Sequence, residues 1–175
     1  TQNRGLVTSS TPGAVAAGDY NNDGSVDLFI TDRAGKEHTL YYNLGDGTFE
    51  SDSKWHDSKK DFQEINGHDA EFFDADNDGY LDLLIAGSTD DQQGQESGLR
   101  LLYNNGSGAF LNASSLLPDS LGSIDQVEVS DYDNDGDVDI FLATSQGQIL
   151  LLRNDGGNIN NFLTIRLTGL RTGSS

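Results

Sequence analysis

Short apolar runs recur along the chain, and each is bounded by polar or glycine-containing sequence. Three of them occupy residues 28–30, 83–85 and 140–142. Runs this short and this rich in leucine, isoleucine and phenylalanine are typical of β-strands. Each run is preceded by another predicted strand, at 14–17, 69–73 and 126–129. The segment between the two strands is therefore predicted to be a loop.

The first two units continue with a third and a fourth predicted strand. These lie at 39–43 and 47–49 in the first unit and at 99–104 and 108–110 in the second. Glycine and asparagine in the turns between them supply the positive φ that tight hairpin turns need. The third unit keeps a third strand at 148–154 but lacks the Gly-x-Phe that follows the turn in the other two.

The pattern predicts an all-β fold of β-propeller blades, with three four-stranded antiparallel repeats visible. The propeller region is 1–157, with units at about 11–56, 66–115 and 123–157. Residues 158–175 are predicted to form a strand that leads out of the propeller. Because closed propellers have about four to eight blades, we expect the chain to be a fragment of a larger propeller.

The loop between the first two strands of each unit has nearly the same sequence three times. The copies begin at Asp19, Asp74 and Asp131 and follow the pattern Asp-x-(Asp/Asn)-x-Asp-Gly-x-x-Asp. We count the first aspartate as position 1, so that the glycine is position 6 and the last aspartate position 9. Oxygen donors then stand at positions 1, 3, 5 and 9, and a backbone carbonyl is available at 7.

This donor set suits calcium, which takes six to eight hard oxygen ligands in a tolerant geometry, whereas magnesium demands a stricter octahedron. The predicted ligands are Asp19, Asn21, Asp23, the Ser25 carbonyl and Asp27 in the first loop, Asp74, Asp76, Asp78, the Tyr80 carbonyl and Asp82 in the second, and Asp131, Asp133, Asp135, the Asp137 carbonyl and Asp139 in the third. We expect about three Ca²⁺ ions, one per repeat. The first site has one carboxylate fewer and should bind more weakly.

Two other kinds of loop use similar residues. An EF-hand requires a bidentate glutamate at position 12. Position 12 is Ile30, Ile85 or Leu142 in these loops, and each lies in a predicted strand. Ordinary acidic turns would also use aspartate, asparagine and glycine, but three copies with matching donors and flanks favour calcium.

Charge and composition narrow the classes of function. The formal net charge is −19, which disfavours binding to nucleic acid or anionic membranes. The absence of cysteine excludes disulfides and thiol catalysis. The sequence shows no motif that pairs a catalytic nucleophile with a general base. The chain is therefore expected not to be an enzyme, and His38 and His68 are expected to be solvated or to cap turns.

The repeated acidic loops resemble the FG-GAP and VCBS repeats of integrin α-chain propellers and bacterial secreted proteins. Residues 17–24 followed by 40–49 are particularly similar to blades that precede ASPIC/UnbV domains, the group that includes cartilage acidic proteins. Residues 161–169 are similar to the opening of that following domain. The resemblance implies structural calcium between the first two strands of each blade and a secreted or cell-surface location.

These observations lead to one functional expectation and one alternative. The expected function is a calcium-stabilised extracellular module for adhesion, interaction or surface assembly, with a protein or glycan partner and possible association with further blades or copies. The alternative is a lectin-like or enzyme-associated propeller whose catalytic part lies outside the chain.

Overall fold

A computed structural model describes residues 4–7, 11–35, 37–52, 65–90 and 97–156 of the 175-residue chain. The fold is all-β, with three antiparallel sheets that follow one another along the sequence. This arrangement confirms the prediction of β-propeller blades. The predicted strand at 158–175 and the end of the first unit at 53–56 lie outside the described residues.

Sheets 1 and 2 each contain four strands in sequential order. The strands of sheet 1 are β1 (Pro12–Gly18), β2 (Asp27–Asp32), β3 (Thr39–Asn43) and β4 (Phe49–Ser51). The strands of sheet 2 are β5 (Ile65–Phe73), β6 (Asp82–Thr89), β7 (Leu99–Asn104) and β8 (Phe110–Asn112). A 3₁₀ turn at Ser114–Leu116 follows β8. The fourth strands begin at the phenylalanines rather than at the glycines before them, because Gly47 and Gly108 have positive φ and belong to the turns.

Sheet 3 contains three strands among the described residues. They are β9 (Ile124–Ser130), β10 (Asp139–Thr144) and β11 (Ile149–Leu152). In sheet 2 the fourth strand places Phe110 against Tyr20, which lies between β1 and β2 of sheet 1, with ring centroids 5.9 Å apart. Beside β11, a cleft of about 750 Å³ between sheets 2 and 3 is lined by Tyr103, Leu117 and other residues.

Sheet 2 packs against sheet 1 on one face and against sheet 3 on the other, and its strand β6 is buried on both faces. Leu83, Leu84, Ile85 and Ala86 of β6 are all 0% exposed. A strand covered on both sides is expected to be apolar throughout rather than alternating, which explains the unbroken apolar run. Leu83 and Ile85 pack with sheet 1, whereas Leu84 and Ala86 pack with sheet 3.

His38 connects the first two sheets. Of the two roles expected for it, solvated or turn-capping, the structure excludes the solvated one, because the residue is 4% exposed. Its Nδ1 accepts the Asp32 N–H at 2.9 Å, so the ring proton lies on Nε2, which is 3.0 Å from the Ile65 carbonyl of sheet 2. His68 is part-buried, with Nδ1 3.0 Å from the Ile124 carbonyl of sheet 3.

At Gly87 the backbone of β6 lies very close to the backbone of the neighbouring strand β5. A Cβ at this residue would lie 2.0 Å from the Asn66 carbonyl oxygen, a backbone atom that has little freedom to move. We expect Gly87→Ala to lower the free energy of unfolding by about 1–3 kcal/mol, as overpacking does. Urea denaturation would measure it.

Gly156→Ala is the matched control, because among the described residues a Cβ there meets only the Asn154 side-chain oxygen, at 3.8 Å. Its free energy of unfolding should change by no more than about 0.5 kcal/mol. Equal effects of the two substitutions would contradict the close approach at Gly87.

Candidate metal centres

The three acidic loops all join the first two strands of a sheet, as predicted. Loop 1 connects β1 to β2, loop 2 connects β5 to β6, and loop 3 connects β9 to β10. Their backbones share one conformation. Asparagine at position 4 and glycine at position 6 have positive φ in every loop, with values of 57° and 88° for Asn22 and Gly24 of loop 1. Glycine and asparagine adopt this region most readily.

Backbone N–H groups hold the acidic side chains in place within each loop. In loop 2, Asp74 accepts hydrogen bonds from the N–H groups of Asp78 (3.1 Å) and Gly79 (3.0 Å). Asp76 accepts from the Asp78 N–H at 3.2 Å, and Asp78 accepts from the Tyr80 N–H at 2.9 Å. The loop therefore closes on itself and directs its carboxylates to one side of the turn.

Loop 1 makes the same set of bonds with other residues. Asp19 accepts from the N–H groups of Asp23 and Gly24, at 3.0 and 2.8 Å. Asn21 accepts from the Asp23 N–H at 3.0 Å, and Asp23 accepts from the Ser25 N–H at 2.8 Å.

Loop 3 makes three of these bonds. Asp131 accepts from the Gly136 N–H at 3.1 Å, and Asp133 accepts from the Asp135 N–H at 3.3 Å. Asp135 accepts from the Asp137 N–H at 3.0 Å. The three loops thus share one internal hydrogen-bond pattern.

The carboxylates converge in two of the loops. Oxygen atoms of Asp74, Asp76 and Asp78 lie within 4.8 Å of one another, and so do those of Asp131, Asp133 and Asp139. Either group could hold a metal ion. Loop 1, in which Asn21 replaces a carboxylate, forms no such group of three acids among the described residues.

The aspartate at position 9 is buried in every loop. Asp27, Asp82 and Asp139 are 0%, 1% and 0% exposed. Each accepts a 2.8 Å hydrogen bond from the backbone N–H of an asparagine at or just beyond the end of the third strand of its sheet, which is Asn43, Asn104 or Asn154. In loop 2, Asp82 also accepts the Ala75 N–H at 2.8 Å. These carboxylates join the loop to the third strand.

Those asparagines were not predicted as site residues and were assigned only to turns. Each one also donates its side-chain amide to the carbonyl at position 8 of its own loop, as Asn43 does to Val26 at 3.0 Å. The available signal was that asparagine recurs at the end of all three predicted third strands, immediately before the turn that contains glycine.

The electrostatics of the site favour a bound cation. Burial raises the pKa of Asp27 to about 6 and that of Asp82 to about 7, although hydrogen bonds from backbone N–H groups oppose the shift. Burial, together with the charges of Asp78 and Asp74, also raises the pKa of Asp76. The loops therefore hold more negative charge than their surroundings stabilise.

Two buried ligand oxygens lack a hydrogen-bond donor. Asp27 Oδ2 and Asp131 Oδ1 are shielded from solvent and make no hydrogen bond of regular geometry. The Tyr20 N–H also interacts with Asp27 and lowers its pKa, but it does not satisfy Oδ2. A buried polar atom without a partner is costly, and one metal ion in loop 1 and another in loop 3 would satisfy these two oxygens. The residues present therefore fit a cation that prefers oxygen ligands.

Loop 3 differs from the others because an arginine neutralises part of its charge. Arg153 lies 3.3 Å from Asp133, 3.5 Å from Asp135 and 2.8 Å from Asp155. Its side chain is about half exposed, so the contribution of these ion pairs to stability is small.

The residues at position 7, whose carbonyl oxygens are the predicted metal ligands, occupy equivalent places in the three turns. Ser25, Tyr80 and Asp137 each donate their N–H to the acid at position 5. Asp137 also has a structural role, because its buried carboxylate accepts the side-chain amide of Asn77 from loop 2 at 3.0 Å.

Comparison with known protein families also identifies a repeat in this chain. The family described as FG-GAP-like repeat matches residues 19–85 and 74–142, which together span well over half of the chain. Each match begins at position 1 of one loop and ends in the strand after the next loop. No curated protein matches the chain. Among the described residues, no helix is long and apolar enough to cross a membrane. The chain belongs to the FG-GAP-like repeat family.

Proposed function

We propose that the protein is a calcium-stabilised extracellular interaction module. The observation that carries the proposal is the set of three loops with one hydrogen-bond pattern, in which buried oxygens of Asp27 and Asp131 lack donors. Calcium would be held by the carboxylates at positions 1, 3, 5 and 9, with asparagine at position 3 of loop 1, and by the carbonyl at position 7. Its positive charge would offset the repulsion between the carboxylates, so that each loop could become ordered.

The role of such calcium is structural. Position 9 joins each loop to the third strand through the N–H of Asn43, Asn104 or Asn154. An ion bound between the loop and this carboxylate would therefore fix the first three strands of a sheet relative to one another, so that metal binding and ordering are coupled.

The family supports an interaction role. FG-GAP repeats occur in adhesion and surface modules and typically in extracellular proteins. We infer a secreted or cell-surface protein that lacks catalytic activity of its own, binds a protein or glycan, and neither binds nucleic acid nor inserts into a membrane. The similarity to VCBS repeats and to blades that precede ASPIC/UnbV domains is part of this proposal.

Calcium titration of chelator-treated protein tests the metal assignment. We expect calorimetry to find about three calcium ions per chain, with weaker binding of magnesium. Asp76→Ala should remove one ion, because this residue belongs to the carboxylate group of loop 2. Asp119→Ala, an exposed acid outside the loops, should remove none. Failure to bind calcium would refute the assignment.

The interaction role needs a separate measurement. Surfaces coated with the chain should retain cells or glycans in calcium and release them in chelator. If the protein binds three calcium ions but retains neither cells nor glycans, the metal assignment stands and the interaction role is wrong.

A further inference from the structure

The residue just before the asparagine of the third strand differs between the three sheets. It is Tyr42 in sheet 1 and Tyr103 in sheet 2, but Arg153 in sheet 3. The asparagine that follows donates its N–H to the acid at position 9 in every sheet, so the three preceding residues have equivalent places. Burial and the charges of Asp76 and Asp82 raise the pKa of Tyr103, which is therefore uncharged beside its loop. Loop 3 has a cation at this place.

Arg153 contacts two acids of loop 3 that are predicted calcium ligands, at positions 3 and 5. Its Nε lies 3.3 Å from Oδ2 of Asp133, and its Nη2 lies 3.5 Å from Oδ2 of Asp135. The same Nη2 lies 2.8 Å from Oδ1 of Asp155, in the turn after β11. Because Asp155 is not a predicted ligand, it would keep the guanidinium beside the loop when a metal ion takes the other two carboxylates.

The acid at position 5 is arranged differently in loops 2 and 3. In loop 2, the N–H of Asp78 donates to Oδ1 of Asp74 at 3.1 Å, and both carboxylates belong to the group that could hold a metal ion. In loop 3, the equivalent oxygen of Asp131 is buried without a hydrogen bond, and the group of three acids does not include Asp135. Asp135 is the acid that accepts a hydrogen bond from Arg153. The contact with the arginine thus coincides with the loss of one predicted ligand from the group.

Loop 3 also has the most acidic sequence of the three loops. It has aspartate at positions 1, 3, 5, 7 and 9, whereas position 7 is Tyr80 in loop 2 and Ser25 in loop 1. Calcium affinity depends on the charge of the ligands, so the acids alone would make loop 3 the tightest site. Arg153 opposes this effect.

We propose that Arg153 is a built-in competitor of calcium, which lowers the calcium affinity of loop 3 below the value that its acids alone would give. This inference rests on the proposed function, because it requires that the loops bind calcium. An ion that takes Asp133 and Asp135 breaks two ion pairs and then lies close to a guanidinium held by Asp155. Both effects oppose binding. In the empty loop, the guanidinium supplies part of the positive charge that calcium supplies in the other loops.

NMR of three backbone amides measures calcium binding at each loop of the intact chain. The glycine at position 6 donates its N–H to the acid at position 1 in every loop, and these glycines are Gly24, Gly79 and Gly136. Calcium is added to chelator-treated protein while the three amide signals are followed. We expect Arg153→Gln to lower the calcium concentration at the Gly136 midpoint roughly 3- to 30-fold. The Gly24 and Gly79 midpoints should change by no more than about 2-fold.

Two further variants make the test specific. Arg33→Gln removes the same charge from an exposed arginine after β2, and its backbone N–H still donates to the Thr11 carbonyl. This control should move none of the three midpoints by more than about 2-fold. Arg153→Lys keeps the positive charge beside loop 3, so its Gly136 midpoint should stay closer to that of the wild type than to that of Arg153→Gln.

Salt provides a second measurement, which a purely structural role of Arg153 would not affect. At about 1 M KCl, charges are screened beyond roughly 3 Å. The difference between the Gly136 midpoints of the wild type and Arg153→Gln should therefore become smaller in high salt. A difference that does not depend on salt would show that the arginine acts through packing, and it would overturn the proposal.

The remaining outcomes separate this inference from the proposed function. If all three amides respond to calcium but Arg153→Gln leaves the Gly136 midpoint unchanged or raises it, the role of Arg153 is wrong and the calcium assignment stands. If no amide responds to calcium, both are wrong. An equal change in Arg33→Gln would indicate an effect of net charge on the whole chain rather than competition at loop 3.

Discussion

Removal of calcium by a chelator is expected to lower the midpoint of thermal unfolding by about 10–30 °C. Extracellular calcium modules bind with dissociation constants of about 10⁻⁴ to 10⁻³ M, so about 10 mM calcium stabilises each site by roughly 1.4–2.7 kcal/mol. Three sites give about 4–8 kcal/mol, and each kcal/mol shifts the midpoint by about 2–4 °C in a protein of this size.

Circular dichroism or scanning calorimetry in calcium, in magnesium and in chelator would measure the shift. Magnesium should restore only a small part of the loss, because the loop geometry does not favour a strict octahedron. If the three midpoints are the same, the loops do not depend on calcium and the ligand assignment is wrong.

Replacement of Asp82 by alanine is expected to lower the free energy of unfolding in calcium by about 2–5 kcal/mol. The substitution leaves two buried N–H groups, those of Ala75 and Asn104, without their carboxylate acceptor, at about 1–3 kcal/mol each. It also removes a predicted calcium ligand. In chelator the loss should be smaller, since burial alone disfavours this ionised carboxylate and raises its pKa to about 7.

Urea denaturation with and without calcium would test this expectation. Asp119→Ala provides the matched control, because it makes the same chemical change at an exposed acid outside the loops. The control should change stability by no more than about 0.5 kcal/mol. A similarly small effect of Asp82→Ala would show that position 9 does not hold the loop to the third strand.

Local sequence was sufficient to predict the strands and acidic loops of this fold. The alternation before each loop, the apolar run after it and the glycine at position 6 are all properties of short segments, and they correctly predicted blades with an acidic loop between the first two strands. The convergence of Asp74, Asp76 and Asp78 also follows from one short turn.

Contacts between sheets could not be predicted in the same way. Asn104 bonds a carbonyl 84 residues earlier in the chain, and Asn154 bonds one 79 residues earlier. Nothing in the neighbourhood of either residue specifies its distant partner. The burial of His38 was not predicted for the same reason, since it depends on Ile65 of the next sheet.

The serial arrangement of the sheets has a consequence for how the molecule opens. Among the described residues, the extensive contacts between sheets join sheet 1 to sheet 2 and sheet 2 to sheet 3. Arrays coupled only through nearest neighbours lose their terminal units first. Amide hydrogens of β1 and β11 should therefore exchange with solvent through partial opening, whereas those of β6 exchange only when the whole array unfolds. The middle sheet thus sets the cooperativity of the chain.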